Sequence, residues 1–406
     1  MYQSMAILAA FVLLYSLIAG RVAKTWVSGP IIYVCFGLVL GPSGLDLLPV
    51  NISAEWLRTL AELTLALVLF TDAANANLAV LRRTYSLPTR LLLIGLPLTI
   101  AAGFGVGWAL FPGLSLLEVA ILATMLAPTD AALGEAVVEN EEVPDRIREA
   151  LNVESGLNDG ICVPILFVFL ALATGAGSSG SARGLAVDLV AREIGIGMTV
   201  GLALALATSW LLGSSIRHGW IARGSIWIQI PVVGLSVTCF ATSQALGGSG
   251  FIAAFCGGLL FGGLVKEHKA QLLEAAEGTG ETLALLTWVV FGAAVVGRGI
   301  GAIDLAVVGY AVLSLTLVRM IPVGLCVAGC GLTTPSKAFL GWFGPRGLAS
   351  IVFGIIVIDA DLAGGGTIAA VVVATITLSI VAHGITANPL AKAYADLMRR
   401  GTAGSE

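Results

Sequence analysis

The sequence predicts an all-α polytopic membrane protein with thirteen transmembrane helices. Three observations predict it. Of 406 residues, 57% are apolar and 11% charged, with a mean hydropathy of +0.97, whereas a soluble domain carries about 25% charged residues. The apolar residues gather into thirteen runs, most of them long enough to cross a bilayer. Of the 21 Lys and Arg residues, fifteen fall in alternate loops, and only Arg58, Arg183, Arg192 and Arg298 fall in the others. The remaining two, Arg319 and Arg346, lie inside runs. Such sorting marks the cytoplasmic side, and an even number of spans would scramble it. It puts the N-terminus outside and the C-terminus in the cytoplasm, in a multi-pass protein of the plasma (inner) membrane.

The runs lie near residues 5–20, 29–49, 57–76, 87–111, 116–138, 148–173, 186–213, 223–246, 249–265, 281–297, 303–330, 336–358 and 364–388. The first is read as a spanning helix rather than a signal peptide, because Arg21 and Lys24 follow it instead of preceding it. Span nine, 249–265, is short, and is tilted or partly re-entrant. The loops are short too. The stretch 139–149 is an acidic turn, 173–183 is a Gly/Ser-rich flexible connection, and 266–281 is polar, suited to a short surface helix. Residues 1–398 thus form one transmembrane domain, and 399–406 a short cytoplasmic tail. Cys35, Cys162, Cys239, Cys256, Cys326 and Cys330 all lie in apolar runs without metal-ligand spacing. They read as small buried hydrophobes, and no cofactor and no nucleic-acid partner is expected.

Two spans are interrupted beside a charge. Span five contains Pro128-Thr129-Asp130, and span twelve contains Gly344-Pro345-Arg346-Gly347. Proline removes a backbone donor and clashes one turn back, and glycine weakens the helix further. If spans 1–6 and 8–13 are two repeats, span seven is the linker, each break falls in the fifth element, and the odd offset inverts the repeats. Paired interruptions at matching positions point to the midplane site of a secondary transporter. Unwound chain there frees carbonyls for a cation and exposes half-helix ends. Arg346 is placed to offset the negative ends of the half-helices.

The densest polar cluster in an apolar run is Glu154-Ser155-Gly156-Leu157-Asn158-Asp159, in span six. Ser155, Asn158 and Asp159 fall at i, i+3 and i+4 and share a helix face. A charge at the centre of a spanning helix costs about 2.5–3.5 kcal/mol on insertion scales. Such residues therefore face a cavity, and hard oxygens suit a small cation or a proton. Asp159 is the expected carrier. A carboxylate holding either H⁺ or a cation, never both, couples the two fluxes by competition.

These residues resemble the monovalent cation:proton antiporter family, specifically its NhaP-type sodium/proton antiporters. The resemblance rests on the Asn158-Asp159 pair, on Thr129-Asp130 in the unwound span five, on Glu154 of the Glu-Ser motif with Arg319 in span eleven, and on Arg346 in span twelve. It implies an ion pair between Glu154 and Arg319. It implies that Asp159, with Asp130, Thr129, Ser155 and a span-three acid, surrounds the cation. The span-three acid is Asp72, one position later than the family's usual spacing after Phe70; it is a site residue or a polar residue of the helix end. Where the family often has Pro after the span-five Asp, this chain has Ala131, with Pro128 on the other side. Asp130 is a second ligand or is held by backbone donors. Asn158 orients Asp159 or caps the free ends of span five, and Ser155 and Thr129 ligate or only hydrogen-bond.

Asn-Asp members are typically electroneutral, so the resemblance implies one cation exchanged for one proton, in the service of pH homeostasis. It also implies a homodimer in membrane lipid. A mobile core of 87–173 and 303–388 would carry the ion past a dimerisation scaffold of 5–76 and 186–297 in an elevator-like motion. The ion is Na⁺ or Li⁺; the alternative is K⁺ on the same scaffold. An intramembrane enzyme needs paired aspartates for Mg²⁺ and a phosphate cradle, and the chain shows neither. A channel needs a filter, and no filter-like repeat is present. His218 and His268 read as loop residues and His383 as a satisfied core residue. Glu62 and Glu118 sit near helix ends and snorkel or face a funnel.

Overall fold

The computed structural model describes residues 2–23, 25–48, 54–76, 87–130, 137, 140, 142–174, 180–222, 225–265, 269–297 and 303–403. Among them every regular element is helical. Eight helices are long and apolar enough to cross a membrane, and four shorter apolar ones accompany them. In chain order the helices are α1 (Tyr2–Val22), α2 (Gly29–Leu40), α3 (Ala54–Asn75), α4 (Leu87–Leu110), α5 (Leu116–Met125), α6 (Asp145–Thr174) and α7 (Gly180–Arg217). Then follow α8 (Ile226–Ala245), α9 (Gly250–Leu264), α10 (Lys269–Val296), α11 (Leu305–Cys326), α12 (Thr334–Trp342), α13 (Leu348–Asp359) and α14 (Gly365–Ala403).

Three loop expectations need correction. The polar stretch 266–281 is not a separate surface helix. From Lys269 onward it is the first part of α10, continuous with the apolar part. The Gly/Ser-rich connection is shorter than expected, because α7 already begins at Gly180, and residues 175–179 lie outside the described residues. The helix of span thirteen does not fray at Met398 but continues to Ala403. In each case an apolar window underestimates a helix that runs on into water. Lys24, Arg82, Arg83, Arg223, Lys266 and Arg298, and the second half of span five at 131–136, also lie outside the described residues.

The helices pack as two groups that meet along α6. In one group α9 lies between α7 and α3, α3 packs on α10, and α10 packs on α2. In the other, α4 and α5 pack together, α5 packs on α6, and α14 covers α11 and α13. α3 and α9 touch α6, and α3 touches α13. The α9–α3 contact is close enough to require glycine: a Cβ on Gly258 or Gly262 would overlap the carbonyl of Phe70 or Ala74. This fixes the turn of α3 that carries Asp72. On the other side of the contact, α6 is buried on every face from Val153 to Gly160, as for a helix at the centre of a bundle.

Span twelve is two half-helices, α12 and α13, separated by residues 343–347 without regular structure. Span five ends as a helix at Met125, and Pro128-Thr129-Asp130 continue without regular structure. Proline dictates both stops, since the residue before it avoids the helical region. The start of α5 is equally local. Ser115 and Glu118 form a reciprocal capping box, and Glu118 Oε1 also accepts from Gly364 N at 2.6 Å. Glu118 is therefore a cap tying α5 to the start of α14, not a residue facing a funnel.

Candidate functional site

The two breaks cross, and each supplies what the other's backbone lacks. Asp130 N donates to Pro345 O at 2.8 Å. Asp130 Oδ2 accepts from Leu348 N at 2.9 Å, at the first turn of α13. A carboxylate there satisfies an orphan amide and meets the positive helix end. A Cβ on Gly347 would overlap that carboxylate, so the cap requires glycine. In return, Arg346 Nη1 donates to the carbonyls of Ala127 and, at 3.0 Å, Pro128, beyond the C-terminus of α5. Ser350 Oγ donates to Met125 O at 2.8 Å. Arg346 N donates to Ser379 Oγ at 2.7 Å, and the Trp342 carbonyl meets His383 Nε2 at 2.9 Å. Neighbouring side chains take over donors and acceptors of the unwound chain.

Beside the crossing, α6 presents its polar face. Asn158 Nδ2 donates to Thr129 Oγ1 at 2.7 Å, and the Thr129 and Ser155 hydroxyls are 2.9 Å apart. This cluster ties α6 to the break of span five. Two oxygens next to it stand differently. Asp159 Oδ1 and Asn158 Oδ1 are buried with no hydrogen-bond partner among the described residues. Asp159 is 8% exposed, and Asp130 and Asp72 lie within Coulombic range of it. A buried carboxylate oxygen without a partner is costly, and its retention calls for a reason.

Glu154 lies on the adjoining strip of α6 and takes no part in this cluster. Its two oxygens accept from Arg319 Nη1 at 2.5 Å and Nη2 at 2.8 Å, with both side chains 1% exposed. The fork matches the carboxylate in the bidentate way that only Arg offers. Arg319 thus pairs with Glu154 and leaves Asp159 alone.

Asp72 stands apart from the hydroxyl cluster. It packs across Gly156, and both line a cavity of about 370 Å³ with Asn75, Ala76, Glu149, Asn152 and Val153. This cavity ends one helical turn before Asp159. Among the described residues no three His, Cys, Asp or Glu side chains converge closely enough to hold a metal in one cluster.

Sequence reasoning passed over Ser350 and Ser379; it read His383 as a satisfied core residue, and His383 is buried with both ring nitrogens at hydrogen-bond distance from partners. The available signal was the i, i+4 pair of Ser379 and His383 in an otherwise apolar stretch of span thirteen.

Comparison with known proteins agrees with this architecture. The sodium proton antiporter MjNhaP1 from Methanocaldococcus jannaschii superposes with a TM-score of 0.78 over 97% of this chain and 99% of that one, at 20% identity. A protein of Shewanella sp. (strain MR-4) named K(+)/H(+) antiporter NhaP2 is 24% identical over 362 residues, 88% of this chain. A Schizosaccharomyces pombe Na(+)/H(+) antiporter is 27% identical over 166 residues, 40% of this chain. The chain spans 61% of the length of the first of these two relatives and 35% of the second. The transmembrane sodium/hydrogen exchanger family matches residues 7–393, a range that takes in both breaks, the Glu154–Arg319 pair and Asn158-Asp159. On that match the chain belongs to the sodium/hydrogen exchanger family.

Proposed function

We propose that this chain exchanges Na⁺ or Li⁺ for H⁺, one for one, at Asp159. The observation that carries the reading is the pair of unpartnered buried oxygens, Asp159 Oδ1 and Asn158 Oδ1, about one helical turn along α6 from Gly156 in the lining of an acidic cavity. Asp159 binds the cation or the proton, never both. Asn158 Oδ1 and the hydroxyls of Thr129 and Ser155 supply neutral oxygens. Asp72 stands on the entry path. Asp130 acts through the crossing, because its carboxylate is engaged by Leu348 N. Stoichiometry follows from charge. Glu154 is neutralised by Arg319 and Asn158 cannot titrate, so one carboxylate carries one positive charge in each direction.

Alternating access moves the helices of 87–173 and 303–388 against those of 5–76 and 186–297, within thirteen spans of inverted repeats and a homodimer. The Asp72 cavity lies between α3 and α6, at the C-terminal end of α3. With the C-terminus cytoplasmic, it opens inward. At the opposite end of α3, Arg58 Nη1 bonds Asp359 Oδ2 at 2.6 Å, and Arg58 Nε bonds Glu62 at 2.7 Å. Arg58 thereby fastens α3 to the last residue of α13 and closes the outer side. K⁺ is the second reading, favoured by the likeness to the K(+)/H(+) antiporter NhaP2 proteins over most of the chain.

The test is proton flux in reconstituted vesicles across Na⁺, Li⁺ and K⁺, with the membrane potential clamped and free. Exchange insensitive to potential and abolished by Asp159→Asn is expected. Exchange that survives Asp159→Asn in a folded protein sinks the assignment.

A further inference from the structure

Ser379 and His383 lie one turn apart on α14, and together they hold both ends of the α12–α13 break. His383 Nε2 is 2.9 Å from the carbonyl of Trp342, the last residue of α12. A carbonyl only accepts, so Nε2 carries a proton. In the neutral ring Nδ1 is then an acceptor, and the Ser379 hydroxyl, 3.2 Å away, donates to it. The Ser379 carbonyl also lies 3.0 Å from Nδ1, where it serves the backbone ladder of α14. The oxygen of that same Ser379 hydroxyl accepts the Arg346 N–H at 2.7 Å. One directed chain thus runs from Arg346 N–H through Ser379 and His383 to Trp342 O. Both side chains are fully buried. Trp342 lies tilted against the imidazole with ring centroids 5.1 Å apart, and Arg346 and Arg319 are the charged groups within Coulombic range of it.

The far side of Arg346 leads to the ion. Its guanidinium grips the carbonyls of Ala127 and Pro128. The next residue, Thr129, bonds Ser155 and Asn158, which precedes Asp159. We propose that Ser379 and His383 are positioning residues for the cation site. They fix Arg346, Arg346 fixes the end of α5, and that end sets where the Thr129 hydroxyl stands against α6. The proposal rests on the assignment of Asp159 as carrier.

Physical proximity along such a chain does not by itself establish coupling, so the test is functional. Misplaced neutral oxygens weaken cation binding but leave the carboxyl's hold on its proton. The proton then competes better, and the acid limb of the exchange profile moves to higher pH. A tenfold loss of cation affinity moves it by about one unit when the cation is near saturating in the wild type.

The variants are His383→Phe, Ser379→Ala, the double variant and His383→Gln, reconstituted as full chains. Expected is an alkaline shift of the acid limb with a raised apparent KM for the cation in both single variants. The double variant should shift no further than the larger single one, because the pair acts as a unit. His383→Gln, which can still donate to Trp342 O, should recover part of the shift. If His383→Phe does not fold, Ser379→Ala, lacking one hydroxyl, carries the test alone. Folded variants with the wild-type pH profile and KM overturn the proposal, as does a profile lowered in amplitude without a shift. If Asp159→Asn abolishes exchange in the same vesicles, that failure belongs to the positioning role and not to the carrier assignment.

Discussion

Arg319 holds Glu154 through two near-parallel hydrogen bonds of 2.5 and 2.8 Å, at a point where both side chains are 1% exposed. Each charge is tolerable only because the other is present. Removing one partner leaves a buried, uncompensated ion, which costs about 3–5 kcal/mol. Glu154→Ala and Arg319→Ala should each lower the melting temperature of the purified protein sharply. The double replacement Glu154→Leu with Arg319→Met should restore much of it, since an apolar pair of similar size is often neutral. Singles that melt like the wild type would remove the pair from the structural account.

The Gly347 contact gives a sharper local prediction. A methyl group there collides with the Asp130 carboxylate that caps α13. Losing a cap costs about 1 kcal/mol, and overpacking adds about 1–3 kcal/mol. Gly347→Ala should therefore destabilise the protein and slow exchange. Asp130→Asn keeps an acceptor for Leu348 N and should be milder in melting experiments. Equal melting curves for Gly347→Ala and the wild type would contradict the crossing geometry.

Competition at one carboxylate has a defined sign with pH. If Asp159 is the shared carrier proposed above, protons occupying it exclude the cation, and the apparent KM for the cation should rise as pH falls. Once the carboxyl is mostly protonated, the rise approaches about tenfold per pH unit, with the limiting rate at saturating cation unchanged. Initial rates over a grid of pH and cation concentration measure this. A KM independent of pH, with only the limiting rate changing, would mean separate sites for the two ions.

The Arg58–Asp359 contact must break if α13 moves past α3. As a half-exposed pair it contributes only ~0–1 kcal/mol, so Arg58→Ala should melt like the wild type. Arg58→Cys with Asp359→Cys, joined by a short reducible bis-methanethiosulfonate linker, should stop exchange, and reductant should restore it. The six native cysteines are all free, so wild-type protein treated identically is the control. Continued exchange in the linked protein would show that the two helices do not separate there.

What the sequence disclosed, it disclosed through residue types with strong local consequences. Pro128 and Gly344-Pro345 stop helices wherever they stand, so both breaks were legible. Asn158 and Asp159 were legible because polar groups inside an apolar run demand a reason. The partners were not. Glu154 and Arg319 stand 165 residues apart, and only the family resemblance connected them. Asp130 is engaged by Leu348 N, a backbone donor that every non-proline residue carries, so no composition signals it. The first turns of α10 were read as a separate helix because helix continuity depends on backbone hydrogen bonding, whereas the apolar window registers only where lipid begins.

The length of α14 has a mechanical consequence. Its 39 residues span about 58 Å at 1.5 Å per residue, well beyond the ~30 Å of hydrocarbon in a bilayer. Near its far end Tyr394 stacks on Phe339 at 4.2 Å and its hydroxyl meets Ser336 Oγ at 2.8 Å, which pins that part of the rod to the half-helix α12. A push or twist delivered there would reach Trp342 and His383 most directly through α12, because Pro389 interrupts the hydrogen-bond ladder of α14 between Tyr394 and His383. The crossing of the two breaks is thus mechanically within reach of whatever grips a surface far from it.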